Sequence, residues 1–268
     1  MLVRRAEMPA DARGPLKAAR AGKAFLSTYL VDRTTRIYVV LPPAPAFPGD
    51  GRAGKGLSSG PMASLYDRYV LPHLIRCACG GRPIMRQRKK IVPRATGRVL
   101  EIGIGGGLNL PFYDPARVES VTGIDPSAEL RAMAAQAPRP KGLAVEITEA
   151  AGESLPFEDR SFDTVLTTYT LCSVAAVNRV LSEARRVLKP EGSFLFCEHG
   201  LSPDGEVARW QRRIDPAWKI IAGNCHLSRP VAQTIAANGF AIADVDTMYL
   251  PKTPRFAGWN EWGSARPA

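Results

Sequence analysis

Val99-Leu-Glu-Ile-Gly-Ile-Gly-Gly-Gly107 decides the fold. Arg98-Val-Leu-Glu-Ile102 is a short, mostly apolar run that predicts a strand buried on both faces. The glycines at Gly103, Gly105 and Gly107 allow a tight turn and a close backbone approach to a nucleotide-like ligand. A glycine-rich turn alone is weak evidence, because loops without ligands also use glycine. Its spacing narrows the choice. The dinucleotide fingerprint needs a third glycine three residues after the second, where this chain has Leu108 or, in the next frame, Leu110. No Gly-Lys-Ser or Gly-Lys-Thr follows, so a P-loop is disfavoured as well. A nucleoside without a pyrophosphate fits best.

Outward from this turn, short apolar runs alternate with helical segments. Ser120–Ile124, Leu143–Ile147, Phe162–Thr167 and Ser193–Cys197 read as further strands. A helix over Val174–Leu188 places Val177, Val180, Leu181, Ala184 and Leu188 on one face and ends at Lys189-Pro-Glu-Gly192. Weaker runs at Phe240–Met248 and Glu261–Ala265 suit an antiparallel edge hairpin. The expected class is therefore α/β, a Rossmann-like, mostly parallel seven-stranded sheet with helices on both faces. Asp125 closes the second strand 24 residues after Glu101, where a carboxylate can accept from both ribose hydroxyls of a nucleoside. Asp125-Pro-Ser127 also suits a helix N-terminus, and both roles are compatible.

Upstream, residues 1–61 are rich in Arg, Lys and Ala and end in a Pro-rich then Gly-rich stretch, the composition of a flexible extension. They hold ten Lys or Arg against four Asp or Glu, so they carry +6 of the formal net charge of +11. From Met62 onward, Leu65, Tyr69, Leu74 and Ile75 predict helices broken near Pro72, followed by a basic amphipathic run over Arg82–Arg94. The domain expectation is thus an extension, 1–61, and a catalytic domain, 62–268. The five cysteines are odd in number and scattered, which suits a reducing cytoplasm better than a disulfide framework. His73 with Cys77-Ala-Cys79 lacks metal-knuckle spacing, and no metal is expected. No apolar stretch suffices for a spanning helix, which leaves at most peripheral membrane contact.

Five motifs in order, Glu101-x-Gly103-x-Gly105-x-Gly107, Gly123-Ile-Asp125-Pro-Ser, Ala151-Gly-Glu-Ser-Leu-Pro-Phe157, Ser161-Phe-Asp163 and Arg186-Val-Leu-Lys-Pro-Glu-Gly192, resemble those of class I S-adenosylmethionine-dependent methyltransferases of the ubiquinone-biosynthesis type. The resemblance spans about residues 62 to 268 and implies S-adenosyl-L-methionine as cofactor. It implies Glu101, Gly103, Gly105, Gly107, Asn109, Asp125, Pro126, Ser127, Gly152, Glu153, Thr168 and Tyr169 as its contacts. Many relatives carry an acid where Ala151 stands, so backbone at Ala151 and Gly152 would have to serve the adenine here.

The second half is similar to a narrower group, the methyltransferase-like 7 or thiol S-methyltransferase-like proteins, through Thr170-Leu-Cys-Ser-Val174, Cys197-Glu-His199, Asp215-Pro-Ala-Trp218 and Cys225-His-Leu-Ser-Arg229. Those relatives carry an N-terminal hydrophobic anchor that is not read in this chain. The implied activity is methyl transfer to a small-molecule acceptor, a thiol first and a lipid, quinone or amine second. His199 and His226 are candidate bases for a thiol, and Asp215 either orients a histidine or caps a helix. Cys172 and Cys225 read as packing residues, and Tyr66 and Tyr169 as cover for cofactor or substrate. An RNA-binding protein or RNA methyltransferase using Arg82–Arg94 on the same fold is the competing class. Thr167-Thr-Tyr-Thr stands where an Asn-Pro-Pro-Tyr-type element would serve nucleobase nitrogens.

Overall fold

A computed structural model describes residues 70–268 and, upstream, the backbone of two short strands. The chain divides into two compact units, Met1–Gly49 and Asp50–Ala268. In the first, β1 (Thr28–Val31) pairs antiparallel with β2 (Ile37–Val40). The expected boundary at Met62, and Tyr66 with it, lie outside the described residues.

The second unit holds β3 (Gly97–Ile102), β4 (Val118–Ile124), β5 (Ala144–Thr148), β6 (Phe162–Thr168), β7 (Leu188–His199), β8 (Phe240–Tyr249) and β9 (Trp259–Pro267). They form one sheet in the order β5-β4-β3-β6-β7-β9-β8. The first five strands are parallel; β9 runs antiparallel to both β7 and β8, as the edge hairpin read from the sequence requires.

Strand side chains alternate between the two faces, and both faces are apolar, which is why the runs read as continuous rather than alternating. Leu100, Val165, Phe194 and Phe196 pack into one core with Val180, Leu181, Ala184 and Val187 of α4 (Val177–Val187) and with Val231 and Ile235 of α6 (Val231–Ala237). Their neighbours Val99, Leu166, Leu195 and Cys197 face the other way, against Ile91 of α2 (Arg82–Ile91) and Ala134 of α3 (Ala128–Ala135). Each fully buried Leu, Ile, Val or Phe contributes about 1.5–3 kcal/mol.

Two boundaries differ from the sequence reading. Pro72 starts a helix instead of breaking one: α1 (Leu71–Cys79) carries it in the first turn, where a missing N–H costs nothing. The helix expected from Val174 begins at Val177. The Val174 carbonyl, which would accept in its first turn, accepts instead from the Arg229 guanidinium. The remaining helices are α5 (Gly205–Ile221), which carries Pro216 inside it, and the short α7 (Arg255–Gly258).

Strand order reverses between β3 and β6, because the chain leaves β3 toward β4 and β5 before returning to β6. A sheet of this kind leaves a crevice at the carboxyl ends of its strands at that switch point.

Candidate active site

A cavity of about 420 Å³ opens there, walled by the residues that follow β3, β4 and β6 and by α1. Of the twelve cofactor contacts implied by the resemblance, nine line it; Glu101, Gly107 and Asn109 do not.

The three alternate glycines do two different jobs. All adopt left-handed φ, +74° at Gly103, +53° at Gly105 and +73° at Gly107. A Cβ on Gly103 would stand 2.4 Å from the Thr170 hydroxyl oxygen, and one on Gly107 would stand 2.6 Å from the Ala137 Cβ. Gly105 has nothing nearer than 4.0 Å and faces the cavity. The turn is tied to its neighbour strand, since the Gly103 and Ile104 amides both donate to the Ile124 carbonyl at 2.9 Å.

Glu101 and Asn109 sit beneath the turn as its support. Glu101 is 1% exposed and accepts from Asn109 Nδ2 at 2.8 Å and from the Tyr113 hydroxyl at 2.7 Å. Asn109 also donates to Thr168 Oγ1 at 2.9 Å and accepts from Arg88 Nη1 at 2.9 Å. Arg88, 5% exposed, reaches the cavity wall and lies with its Cζ 5.1 Å from the Tyr169 ring centroid. Burial pushes the Glu101 carboxyl up to about 7, against the opposing pull of Tyr113, Arg88 and Asn109.

The sign for stability follows from linkage. Between pH 4.5 and about 7 the folded chain keeps a proton on Glu101 that the unfolded chain has released. Stability from this residue therefore falls as pH rises through that window, by on the order of 3 kcal/mol in all. Glu101→Gln, which keeps the shape and cannot ionise, should flatten the difference in unfolding free energy between pH 5 and 7.5 in denaturant titrations. A variant with the wild-type slope would refute the assignment.

Asp125 follows β4 and is 7% exposed. Its Oδ2 accepts from the Gly105 amide at 3.0 Å and its Oδ1 from the Ser127 amide at 2.9 Å. Burial raises its carboxyl, and the two amides counteract that. Each oxygen keeps a further lone pair for the cavity. Ser127 caps α3 by accepting from the Leu130 amide, so Asp125-Pro-Ser127 does start a helix, with Ser127 as its cap. On the opposite wall, Glu153 Oε1 accepts from the Ala176 amide at 3.4 Å, and Ala151 and Gly152 face the cavity.

Beside the cavity, four segments far apart in sequence converge. His199, at the end of β7, has its Nε2 2.9 Å from Cys225 Sγ. Cys172 Sγ lies within 4.8 Å of both atoms. Cys172 hydrogen-bonds Cys225, and the nearby His199 adds its charge, so the Cys225 thiol is pulled well down and Cys172 up. Burial works against protonation of His199, but Cys225 and Glu198 outweigh it and raise its pKa. Glu198, fully buried, accepts the Thr170 and Leu171 amides on Oε1, whereas its Oε2 has no hydrogen-bond partner among the described residues.

His226 donates from Nδ1 to the carbonyls of Cys172 (3.0 Å) and Asn224 (2.7 Å), which fixes its tautomer and leaves Nε2 as the basic nitrogen; burial lowers its pKa. Asp215 touches neither histidine. Inside α5, it accepts from the Leu227 amide at 2.6 Å and the Ser228 hydroxyl at 3.1 Å, and so anchors the loop that carries Cys225 and His226.

None of His199, His226 and Asp215 lines the cavity itself. Arg76, Cys79, Arg88, Thr170 and Asn224, none of them among the implied cofactor contacts, line it as well. The signal for Arg88 was present: Ile84, Arg88 and Ile91 share one helical face, so the arginine points where the apolar residues point. Much of the basic run is engaged within the fold, with Arg94 paired to Asp244 at 2.7 Å and Lys90 4.0 Å from the Trp262 ring centroid.

A seven-stranded sheet with an antiparallel β8–β9 edge, a glycine turn after β3 and an acid after β4 define a class I S-adenosylmethionine-dependent methyltransferase. The methyltransferase domain family matches residues 100–196. The chain is 35% identical over 169 residues to the thiol S-methyltransferase TMT1B of Rattus norvegicus, covering 60% of this chain and 68% of that protein. It is 37% identical over 157 residues to the thiol S-methyltransferase TMT1A of Homo sapiens, covering 57% and 64%. A Thermotoga maritima S-adenosylmethionine-dependent methyltransferase shares the fold, with a TM-score of 0.54 and 21% identity over 76% of this chain and 99% of that one. The chain belongs to the TMT1-type family of S-adenosylmethionine-dependent methyltransferases. Among the described residues no helix is long and apolar enough to cross a membrane.

Proposed function

We propose that the methyl acceptor is a small thiol, bound where the Cys225 loop meets the cofactor cavity. The observation that supports this is spatial. The four short segments resembling the thiol S-methyltransferase-like group, 170–174, 197–199, 215–218 and 225–229, interlock at one edge of the cavity through Arg229 to Leu171, His226 to Cys172, His199 to Cys225 and Asp215 to Leu227. Ser173 and Asn224, from the first of these and from the residue before the last, are on the cavity wall.

The walls fit S-adenosylmethionine. Asp125 would take the ribose hydroxyls, the open face of Gly105 would admit the nucleoside, and Ala151 with Gly152 would meet the adenine through backbone atoms. Arg76, whose Cδ lies 3.2 Å from the Cβ position of Gly106, would meet the methionine carboxylate. When bound, the cofactor supplies a methyl group on a sulfonium. The chain's part is to exclude water, hold the acceptor in line with that methyl and let it reach the thiolate form. His226 Nε2 is the basic nitrogen at hand.

The purified full chain with methyl-labelled S-adenosylmethionine, offered small thiols, amines, quinols and RNA in parallel, should yield a labelled thioether. Labelled product from another class with none from thiols would overturn the thiol reading.

A further inference from the structure

Cys172, His199 and Cys225 come from three separate elements, yet one ligand atom from each falls within 4.8 Å of the others. Two sulfurs and one imidazole nitrogen suit a borderline-soft cation. Three protein ligands with the fourth position left to water or substrate is the pattern of catalytic zinc sites, Cys2His among them. We propose that these residues form such a zinc site, and that its open position takes the sulfur of the acceptor thiol; the second half of this rests on the thiol reading above.

Three further features favour this assignment. Past the end of α5 the chain turns through Gly223 and Asn224, both with left-handed φ (+59° and +64°), with the Asn224 amide donating back to the Lys219 carbonyl at 2.8 Å, so this helix end sets where Cys225 emerges. Asn224 Nδ2 donates to the Ser173 carbonyl at 2.8 Å, tying the Cys225 loop to the Cys172 turn. Ser173 and Asn224, the immediate neighbours of the two cysteines, both line the cofactor cavity, so the chain at each cysteine adjoins its wall. His199 Nε2 and Cys225 Sγ stand 2.9 Å apart. Zinc between them would open that distance to about 3.5 Å, as the bond lengths and a tetrahedral angle require. The loop that carries Cys225 is held by the hydrogen bonds of Leu227 and Ser228 to Asp215.

The chemistry balances. A thiol entering the fourth position gives its proton to solvent or to His226 and binds as thiolate. A sulfur lone pair then forms the new bond to the methyl carbon while the bond from that carbon to the sulfonium sulfur breaks, its electron pair remaining on S-adenosylhomocysteine. Two thiolate ligands neutralise the dication, and the neutral thioether product, a poorer ligand than a thiolate, leaves for the next thiol or water.

The test uses full-length protein without a polyhistidine tag. Elemental analysis should find about one zinc per chain. The protein stripped of zinc and refilled with cobalt(II) should show a thiolate-to-cobalt charge-transfer band and the visible bands of a tetrahedral ion. Cys225→Ala, Cys172→Ala and His199→Gln, each checked for folding by circular dichroism and S-adenosylmethionine affinity, should lose the charge-transfer intensity or the stoichiometry. Cys77→Ser, at an exposed cysteine, should keep both. Adding 2-mercaptoethanol to the cobalt form should change the visible bands. Absence of stoichiometric metal, or a cobalt spectrum that folded Cys225→Ala retains, overturns the site. A spectrum lost in the variants but indifferent to thiol overturns the open position. A thiol-sensitive spectrum with no labelled thioether in the transfer assay supports the site and counts against the thiol methylation reading alone.

Discussion

Asp125→Ala is expected to weaken S-adenosylmethionine binding by about two orders of magnitude while leaving the chain folded. A hydrogen bond from a neutral donor to a carboxylate is worth about 1.5–3 kcal/mol, so even one lost ribose contact costs roughly tenfold or more, and two reach hundredfold. The same carboxylate holds the Gly105 and Ser127 amides, so its removal also loosens the glycine turn. Those amides belong to residues that line an open cavity, and α3 keeps its Ser127 cap, which limits the cost to the fold. Titration calorimetry against S-adenosylmethionine, with circular dichroism as the control for folding, measures both effects. Asp125→Asn, which keeps one acceptor oxygen, should fall between wild type and alanine. Unchanged affinity in the alanine variant would remove Asp125 from the ribose site.

Gly103→Ala should damage the protein in a way that Gly105→Ala does not. At Gly103 a methyl group meets the Thr170 side chain at 2.4 to 3.0 Å, in a backbone conformation already unfavourable for alanine. The left-handed conformation costs about 1–2 kcal/mol and forced overpacking about 1–3 kcal/mol more, so a loss of roughly 3 kcal/mol in unfolding free energy is expected. Thr170 cannot easily retreat, because its amide is held by the buried Glu198 carboxylate. At Gly105 only the conformational cost applies to the fold, and the added methyl projects into the space a nucleoside would occupy. That variant should keep most of its stability and lose cofactor affinity. Urea unfolding and calorimetry on the pair separate the two; equal stability losses would show that the glycines are interchangeable and the packing account wrong.

The sheet was legible because its strands carry their own signature. Val99, Leu100 and Ile102, or Phe194 to Cys197, are apolar at successive positions, and only a strand covered on both faces hides both parities. The edge hairpin was visible for a different reason, its two runs following the last crossover helix. Boundaries were less legible. The late start of α4 depends on Arg229, more than fifty residues downstream, which takes the carbonyl of Val174.

The candidate site divides in the same way. Gly103, Gly105, Asp125 and Thr168 are near the ends of predicted strands, so connectivity alone brings them to one edge. Glu101 and Asn109 were read as cofactor contacts because they share that motif. Whether a side chain in such a motif points into the cavity or beneath it is a matter of strand parity and packing, and here both point beneath. Cys172 and Cys225, read as packing residues, meet His199 through the turn after β6, the end of β7 and the loop after α5.

The amino-acid sequence by itself determined the α/β class, the strand that leads into the glycine turn, and the acid opposite it. Each is a local pattern whose period or spacing is enforced by the backbone. Only the tertiary structure decided which glycine keeps open space beside the cavity and which are closely packed, that Arg88 turns inward to meet Asn109, and that two cysteines and a histidine form one group. Those outcomes depend on distances between segments separated by tens of residues, and such distances are set by how helices close over the two faces of the sheet.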